Sequence, residues 1–183
     1  MKTLLSVLFF SMTIMAHAQQ TETSKNNEKQ TTFGFKTGLN HTQLNLHEDP
    51  YNEKNKTVGA EVYVGLFSSS KLNEKLNIEN EVLVLANLAH IFIELPIHLK
   101  YKFHDKWSVL IGPKIDFSRF KINKPLQRGM GMSAEIGFQY KINKKYFTEL
   151  RYAKGVTGHF DDLNNDLLDG KRNTLRFGLG INF

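Results

Sequence analysis

Cysteine is absent from the 183-residue chain, so neither a disulfide framework, a thiolate metal site nor a lipid-modified amino-terminal cysteine can be built. An exported domain of this composition rests on ladder hydrogen bonds and packing alone. Long apolar runs are equally scarce. Past the first 18 residues no stretch approaches the roughly 20 apolar residues of a membrane-spanning helix. Helical spanning is thereby excluded, but spanning by strands is not, because a barrel strand shows only half of its residues to lipid. Clustered charge is missing too. The formal net charge of +6 is spread over strands and turns, which speaks against a nucleic-acid partner and suits acidic lipid surfaces.

The first residues read as a targeting segment. Lys2 supplies a positive start, Leu4 to Met15 is a short apolar run, and Ala16-His17-Ala18 is a small-x-small cleavage pattern. Residues 1–18 are therefore expected to be a signal peptide and residues 19–31, polar and unpatterned, a flexible periplasmic leader. Residues 32–183 remain for one domain.

That domain is patterned with a period of two. The end of the chain shows it best, with Leu175, Phe177, Leu179, Ile181 and Phe183 alternating with Thr174, Arg176, Gly178, Gly180 and Asn182. A strand sends successive side chains to opposite faces, so this segment has one oily face and one polar, glycine-rich face. The alternation recurs around Phe33–Asn40, Val58–Leu66, Leu76–Val84, Ile91–Phe103, Trp107–Phe117, Met130–Tyr140 and Tyr146–Tyr152. Between these segments we expect a long polar loop over His47–Lys56, a polar connection over Ser68–Lys75, and a tight turn at His104-Asp-Lys106. Asn123–Arg128 reads as a loop, Asn143-Lys-Lys145 as a second tight turn, and Gly155–Arg172 as the longest loop. Only 4 prolines occur, and two of them, Pro96 and Pro113, fall inside predicted strands, where a bulge is expected at one or both. The fold class is all-β, an antiparallel up-and-down transmembrane β-barrel of about eight strands.

Three features turn the oily face outward, as in a membrane barrel, rather than inward, as in a soluble lipocalin-like carrier of small ligands. The polar face carries most of the glycines, which suit a crowded narrow lumen. Aromatic residues (Tyr101, Phe103, Trp107, Phe117, Tyr140, Tyr146 and Phe183) gather near strand ends, as in two interfacial girdles. The export signal and the terminal Phe183 fit delivery to a cell outer membrane. The lumen then holds Glu61, Glu79, Glu81, Glu94, Asp116, Glu135 and Glu149 against Lys36, Lys100, Lys102, Lys114, Arg151 and Arg176. Opposite charges packed together must pair, so the expected interior is a salt-bridged plug, with a thin polar conduit as the alternative.

Several segments occur in a telling order: Leu76-Asn-Ile-Glu-Asn-Glu-Val-Leu83, Ile93-Glu-Leu-Pro-Ile97, Leu99-Lys-Tyr-Lys102, Gly112-Pro113, Glu149-Leu-Arg-Tyr-Ala-Lys-Gly155 and the closing Gly178-Leu-Gly-Ile-Asn-Phe183. Together, over Phe33 to Phe183, they resemble the PorT-like outer-membrane β-barrel family of Bacteroidetes, whose members show E-[IL]-P-x-x-x-K-Y, a later G-P and L-R-Y-x-x-G. Leu83-Val-Leu-Ala-Asn87 departs from that family's Tyr-Ser-x-Lys-Gly. The resemblance implies an eight-stranded outer-membrane barrel, a link in some relatives to secretion and gliding, and no catalytic residues.

Candidate chemistry is thin. Asp162, Asn164 and Asp166 have the one-three-five spacing of a calcium loop, but Leu167 replaces its glycine and Asn173 its closing glutamate. The histidines are scattered, with no H-x-x-x-H pair for a metal. His98 is expected beside Glu94 and Lys100, and Ser133 with His98 is the one lumenal nucleophile-base pair that can be nominated. Gly129-Met-Gly131 lacks the lysine and helix of a phosphate loop. The expectation is a non-enzymatic barrel with a structural or interaction role, without catalytic residues, metal or cofactor. The alternatives are a narrow channel or secretion-machinery component, and the soluble carrier. Expected partners are outer-membrane lipid and lipopolysaccharide, the barrel-assembly machinery through the C-terminal strand, and a secretion or surface protein.

Overall fold

A computed structural model describes residues 30–48, 53–87, 90–120, 128–157 and 171–183. The expected signal peptide, nearly all of the leader and the acidic segment Asp162–Asp169 lie outside these residues.

Eight antiparallel strands close into a barrel in chain order. They are β1 (Thr31–Glu48), β2 (Glu53–Lys71), β3 (Leu76–Ala86), β4 (His90–Lys102), β5 (Trp107–Phe120), β6 (Arg128–Lys141), β7 (Tyr146–Gly155) and β8 (Lys171–Asn182). Closure is made by β1 with β8, from Gly34↔Asn182 to Asn45↔Lys171. The barrel therefore begins at Thr31, one residue before the expected boundary.

One end of the barrel carries three tight turns, two of them built alike. In Leu72-Asn-Glu-Lys75 the Asn73 Oδ1 accepts from the amides of Lys75 and Leu76, both at 2.9 Å. In Ile142-Asn-Lys-Lys145 the Asn143 Oδ1 accepts from Lys145 at 2.8 Å and Tyr146 at 2.9 Å. The third, Phe103-His-Asp-Lys106, uses His104 Nδ1 to accept from the Lys106 amide at 3.3 Å. An Asx side chain holding its own downstream backbone is a compact turn device. The expected polar connection over Ser68–Lys75 is thus four residues too long, because β2 stays paired with β3 through Lys71↔Asn77.

The other end carries the two longest connections, β5 to β6 and β7 to β8, as expected of external loops opposite periplasmic turns. There the expected long loop over His47–Lys56 is largely a paired hairpin, β1 and β2 remaining in register out to Glu48↔Glu53. Beyond the bilayer both faces of a strand meet water, so the oily alternation that marks a strand is lost although the ladder persists. Nor does either internal proline introduce a bulge. The β3–β4 ladder lacks pairs between Asn80↔Ile97 and Leu83↔Glu94, and the β4–β5 ladder between Pro96↔Lys114 and Leu99↔Ile111, yet the register is the same on both sides of each gap. Losing an N–H removes a ladder bond, and here no extra residue is inserted to compensate.

The faces sort as the alternation requires. Leu39, Val62, Leu66, Ile111, Met130, Phe138, Leu150 and Phe177 are exposed on the outside, while Lys36, Glu79, Glu94, His98, Lys114, Arg151 and Arg176 are buried within. An apolar exterior around a charged interior is the inverse of a soluble carrier. The barrel spans an outer membrane. Among the described residues most of the expected girdle aromatics gather at one end. Phe33, Tyr101, Phe103, Trp107, Tyr140, Tyr146 and Phe183 all lie at the turn end, Trp107 and Tyr140 with ring centroids 4.8 Å apart. Of the expected girdle residues, Phe117 alone lies toward the loop end.

Candidate functional site: the ion-paired lumen

The lumen is lined from all eight strands, and its ion pairs fall into two groups stacked along the barrel. The group nearer the turn end contains Lys36 from β1, Glu79 and Glu81 from β3, His98 and Lys100 from β4, Glu135 from β6, and Glu149 and Arg151 from β7. Lys36 Nζ donates to Glu79 Oε1 at 2.6 Å, Glu81 Oε1 at 2.7 Å and Glu149 Oε2 at 3.1 Å, using its three protons on three carboxylates. The Arg151 guanidinium spreads over Glu81 at 2.6 and 2.9 Å, Glu149 at 2.7 Å and Glu135 at 3.1 Å. Lys100 Nζ donates to Glu79 Oε2 at 3.1 Å.

The group nearer the loop end centres on Glu94 of β4. Its Oε1 accepts from Arg172 at 2.6 Å and Lys114 at 3.2 Å, and its Oε2 accepts from Arg176. Arg172 also reaches Glu61 Oε2 at 2.5 Å, and Glu61 accepts from Asn40 Nδ2 at 2.9 Å. Lys114 lies 3.3 Å and Arg172 3.5 Å from Asp116 Oδ1. Tyr63 stands between the groups. Its Oη donates to Glu149 at 3.3 Å while Arg176 lies 4.7 Å above its ring.

Each group has an apolar cover. At the turn side, Phe67 and Phe147 meet edge to face with centroids 5.6 Å apart, and Lys36 Nζ sits 4.8 and 5.4 Å from the two rings. Glycine makes room for them. A Cβ at Gly180 would fall on the Phe147 ring and one at Gly34 on Phe67. Tyr63 likewise needs Gly178, where a Cβ would strike its hydroxyl. At the loop side, Leu83 and Leu85 pack with Tyr63 and Phe92, and Arg172 lies 4.3 Å over the Phe92 ring. The run Leu83–Ala86, apolar on both faces, is resolved in this way. Leu83 and Leu85 point inward, and Val82 and Val84 outward.

Most of the expected lumenal charges are where the alternation put them, with two corrections. Lys102 is outside, half exposed and 3.3 Å from Asp105 in the turn region, because the strand has already left the barrel there. Arg172, assigned to the longest loop, is instead buried and is one of the principal cations of the lumen. Extending the period of two back from Arg176 and Thr174 would have found it.

The nominated Ser133–His98 pair is not assembled. Ser133 Oγ donates to Asp116 Oδ2 at 3.2 Å. His98 Nδ1 lies 3.5 Å from Glu81 and Nε2 3.1 Å from Glu135, so its expected neighbours Glu94 and Lys100 are not its partners. Glu79, Glu81 and His98 do bring potential metal ligands within 4.8 Å of one another. Lys36 and Arg151 already hold those carboxylates, so a divalent ion would have to displace the chain's own cations.

No family model matches the chain, and no curated relative does. Among solved structures it is similar to Neisserial surface protein A, with a TM-score of 0.59 at 12% identity over 85% of this chain and 100% of that one. It is also similar to Ail, the attachment invasion locus protein of Yersinia pestis, with a TM-score of 0.50 at 13% identity over 84% of this chain and 99% of that one. At these identities the likeness is one of fold, that of small outer-membrane barrels.

Proposed function

We propose that this chain is a non-catalytic outer-membrane barrel with a closed lumen, which acts through its loop end as a structural or interaction protein at the cell surface. The observation that carries this reading is the lumen itself. Two ion-paired groups, each under an apolar cover, fill a barrel whose eight strands enclose space only for side chains or one small ligand. A general pore needs a wetted path, and the buried guanidinium groups of Arg151, Arg172 and Arg176 stand across it.

Two further points support a surface role. The ordered segments resemble PorT-like barrels of Bacteroidetes, some of which are linked to secretion and gliding, and the solved structures of similar fold bear the names of a surface protein and an attachment protein. The C-terminal strand is the natural contact for the assembly machinery, and deleting Phe183 is expected to reduce insertion, read as loss of the protein from the outer-membrane fraction.

Planar-bilayer recording tests the closed lumen. The purified barrel is expected to give no resolvable unit conductance, whereas steps of uniform size would favour a narrow channel. Heat-modifiability in the outer-membrane fraction, read as faster migration before boiling, tests for the closed, stable barrel independently.

A further inference from the structure

One outward side chain is out of keeping with the apolar belt. Lys154 on β7 is exposed on the lipid face, between Tyr152 of the same strand and Val156 just beyond its end, and opposite Ala134 of β6 across the ladder. It is the last outward-facing residue of β7. β7 runs toward the loop end and β6 away from it, so Val156 and Met132, both exposed and apolar, still lie on the loop side of Lys154. A lysine on the lipid face costs about 2–4 kcal/mol at the midplane, falling to about 0–1 near the interface. At this depth its four-carbon stem reaches up the outer leaflet toward the headgroups.

Beside it the surface is hollow. Pro113 and Ala134, small and opposite each other in the β5–β6 ladder, form the floor of a notch of about 280 Å³ walled by Ile111, Met132 and Val156. The wall nearest the loops is fixed by backbone. The amides of Val156 and Thr157 both donate to the Met132 carbonyl, at 2.8 and 3.2 Å, and the Met132 amide donates to Thr157 Oγ1 at 2.8 Å. The chain leaving β7 is thereby held beside β6 for two residues past the strand, which places Val156 and Thr157 along the loop side of the notch.

We propose that Lys154 and this notch bind a phosphate-bearing lipid of the outer leaflet, an acyl chain lying in the notch and the phosphate on the ammonium. Charge complementarity selects the occupant. An apolar hollow inside the belt is filled by hydrocarbon, and a cation one residue away favours a hydrocarbon chain that ends in an anion. The proposal rests on the membrane placement of the barrel and is independent of whether the lumen is closed.

Native mass spectrometry of the chain in micelles containing lipid A, or lipid A stripped of its phosphates, tests it. The wild-type barrel is expected to retain one lipid A about tenfold better than the stripped lipid, the worth of one charge-assisted pair. Lys154→Met is expected to abolish that preference. Ala134→Phe, which fills the notch, is expected to lower retention of both lipids. Heat-modifiability confirms that each variant is folded and keeps a failure of this site distinct from a failure of the barrel. Equal retention of the two lipids by wild type, retention unchanged in both variants, or a second copy of the chain seated in place of lipid would overturn the proposal.

Discussion

The two halves of the lumen look alike and are balanced differently. On the loop side three cations, Lys114, Arg172 and Arg176, face three carboxylates, Glu61, Glu94 and Asp116. On the turn side three cations, Lys36, Lys100 and Arg151, face four, Glu79, Glu81, Glu135 and Glu149. His98, held between Glu81 and Glu135, supplies the fourth cation when protonated. The difference teaches that removing a charge has opposite consequences in the two halves. A lost cation is worst on the turn side, where carboxylates are already in excess, while a lost carboxylate is worst on the loop side, where nothing is spare.

The largest expected effect follows from Arg151→Met, which leaves Glu81, Glu135 and Glu149 without their shared guanidinium. A loss of about 3–5 kcal/mol is expected from stranding buried charge, read as a lower urea midpoint in lipid vesicles. Glu94→Gln comes next. It weakens the hub of Lys114, Arg172 and Arg176 but keeps the shape, so about 2–3 kcal/mol is expected, from lost charged hydrogen bonds. Glu135→Gln, the corresponding change on the turn side, is expected to cost under about 1 kcal/mol, because His98 can then be neutral and three cations face three carboxylates. Equal losses for Glu94→Gln and Glu135→Gln would break the comparison. Tyr63→Phe removes one hydrogen bond between the two halves, worth about 1 kcal/mol. Lys102→Ala, outside the lumen, is expected to change the midpoint by less than about 0.5 kcal/mol.

How far the sequence could be read depended on what surrounded each segment. Within the bilayer the two faces of a strand meet lipid and lumen, so the alternation from Leu175 to Phe183 or from Ile91 to Phe103 identified strands, their facing, and most of the buried charges. Outside it, that contrast ends. The continuation of β1 to Glu48 and of β2 from Glu53 read as loop, and Lys102 was drawn into a lumen that its strand had already left. Arg172 failed for a related reason, being the first buried charge of β8 after a long polar run. Which carboxylate meets which cation was not legible at all. His98 contacts Glu81 and Glu135 rather than its strand neighbours because pairing across the lumen depends on stagger, which alternation does not encode. Proline was over-read. Pro96 and Pro113 leave gaps in continuous ladders where an inserted residue was expected.

The lumenal pairs also bear on how such a chain reaches its final state. Lys36 and Glu149 are 113 residues apart, Glu61 and Arg172 111, and Asn40 and Arg176 136. Each of these joins one of the first two strands to one of the last two, so these partners become available only as the sheet closes, whereas pairs such as Glu94 with Lys114 form between adjacent strands. A sheet that entered the bilayer open would keep adjacent-strand pairs such as Glu94 with Lys114, but would carry Lys36, Arg172 and Arg176 across hydrocarbon without the carboxylates they meet across the lumen, an arrangement opposed by several kcal/mol for each group. Contacts so distant in sequence make assembly slow and all-or-none. Penetration of the membrane and sealing of the barrel are therefore coupled in time, with the charges kept in water until the ring shuts around them.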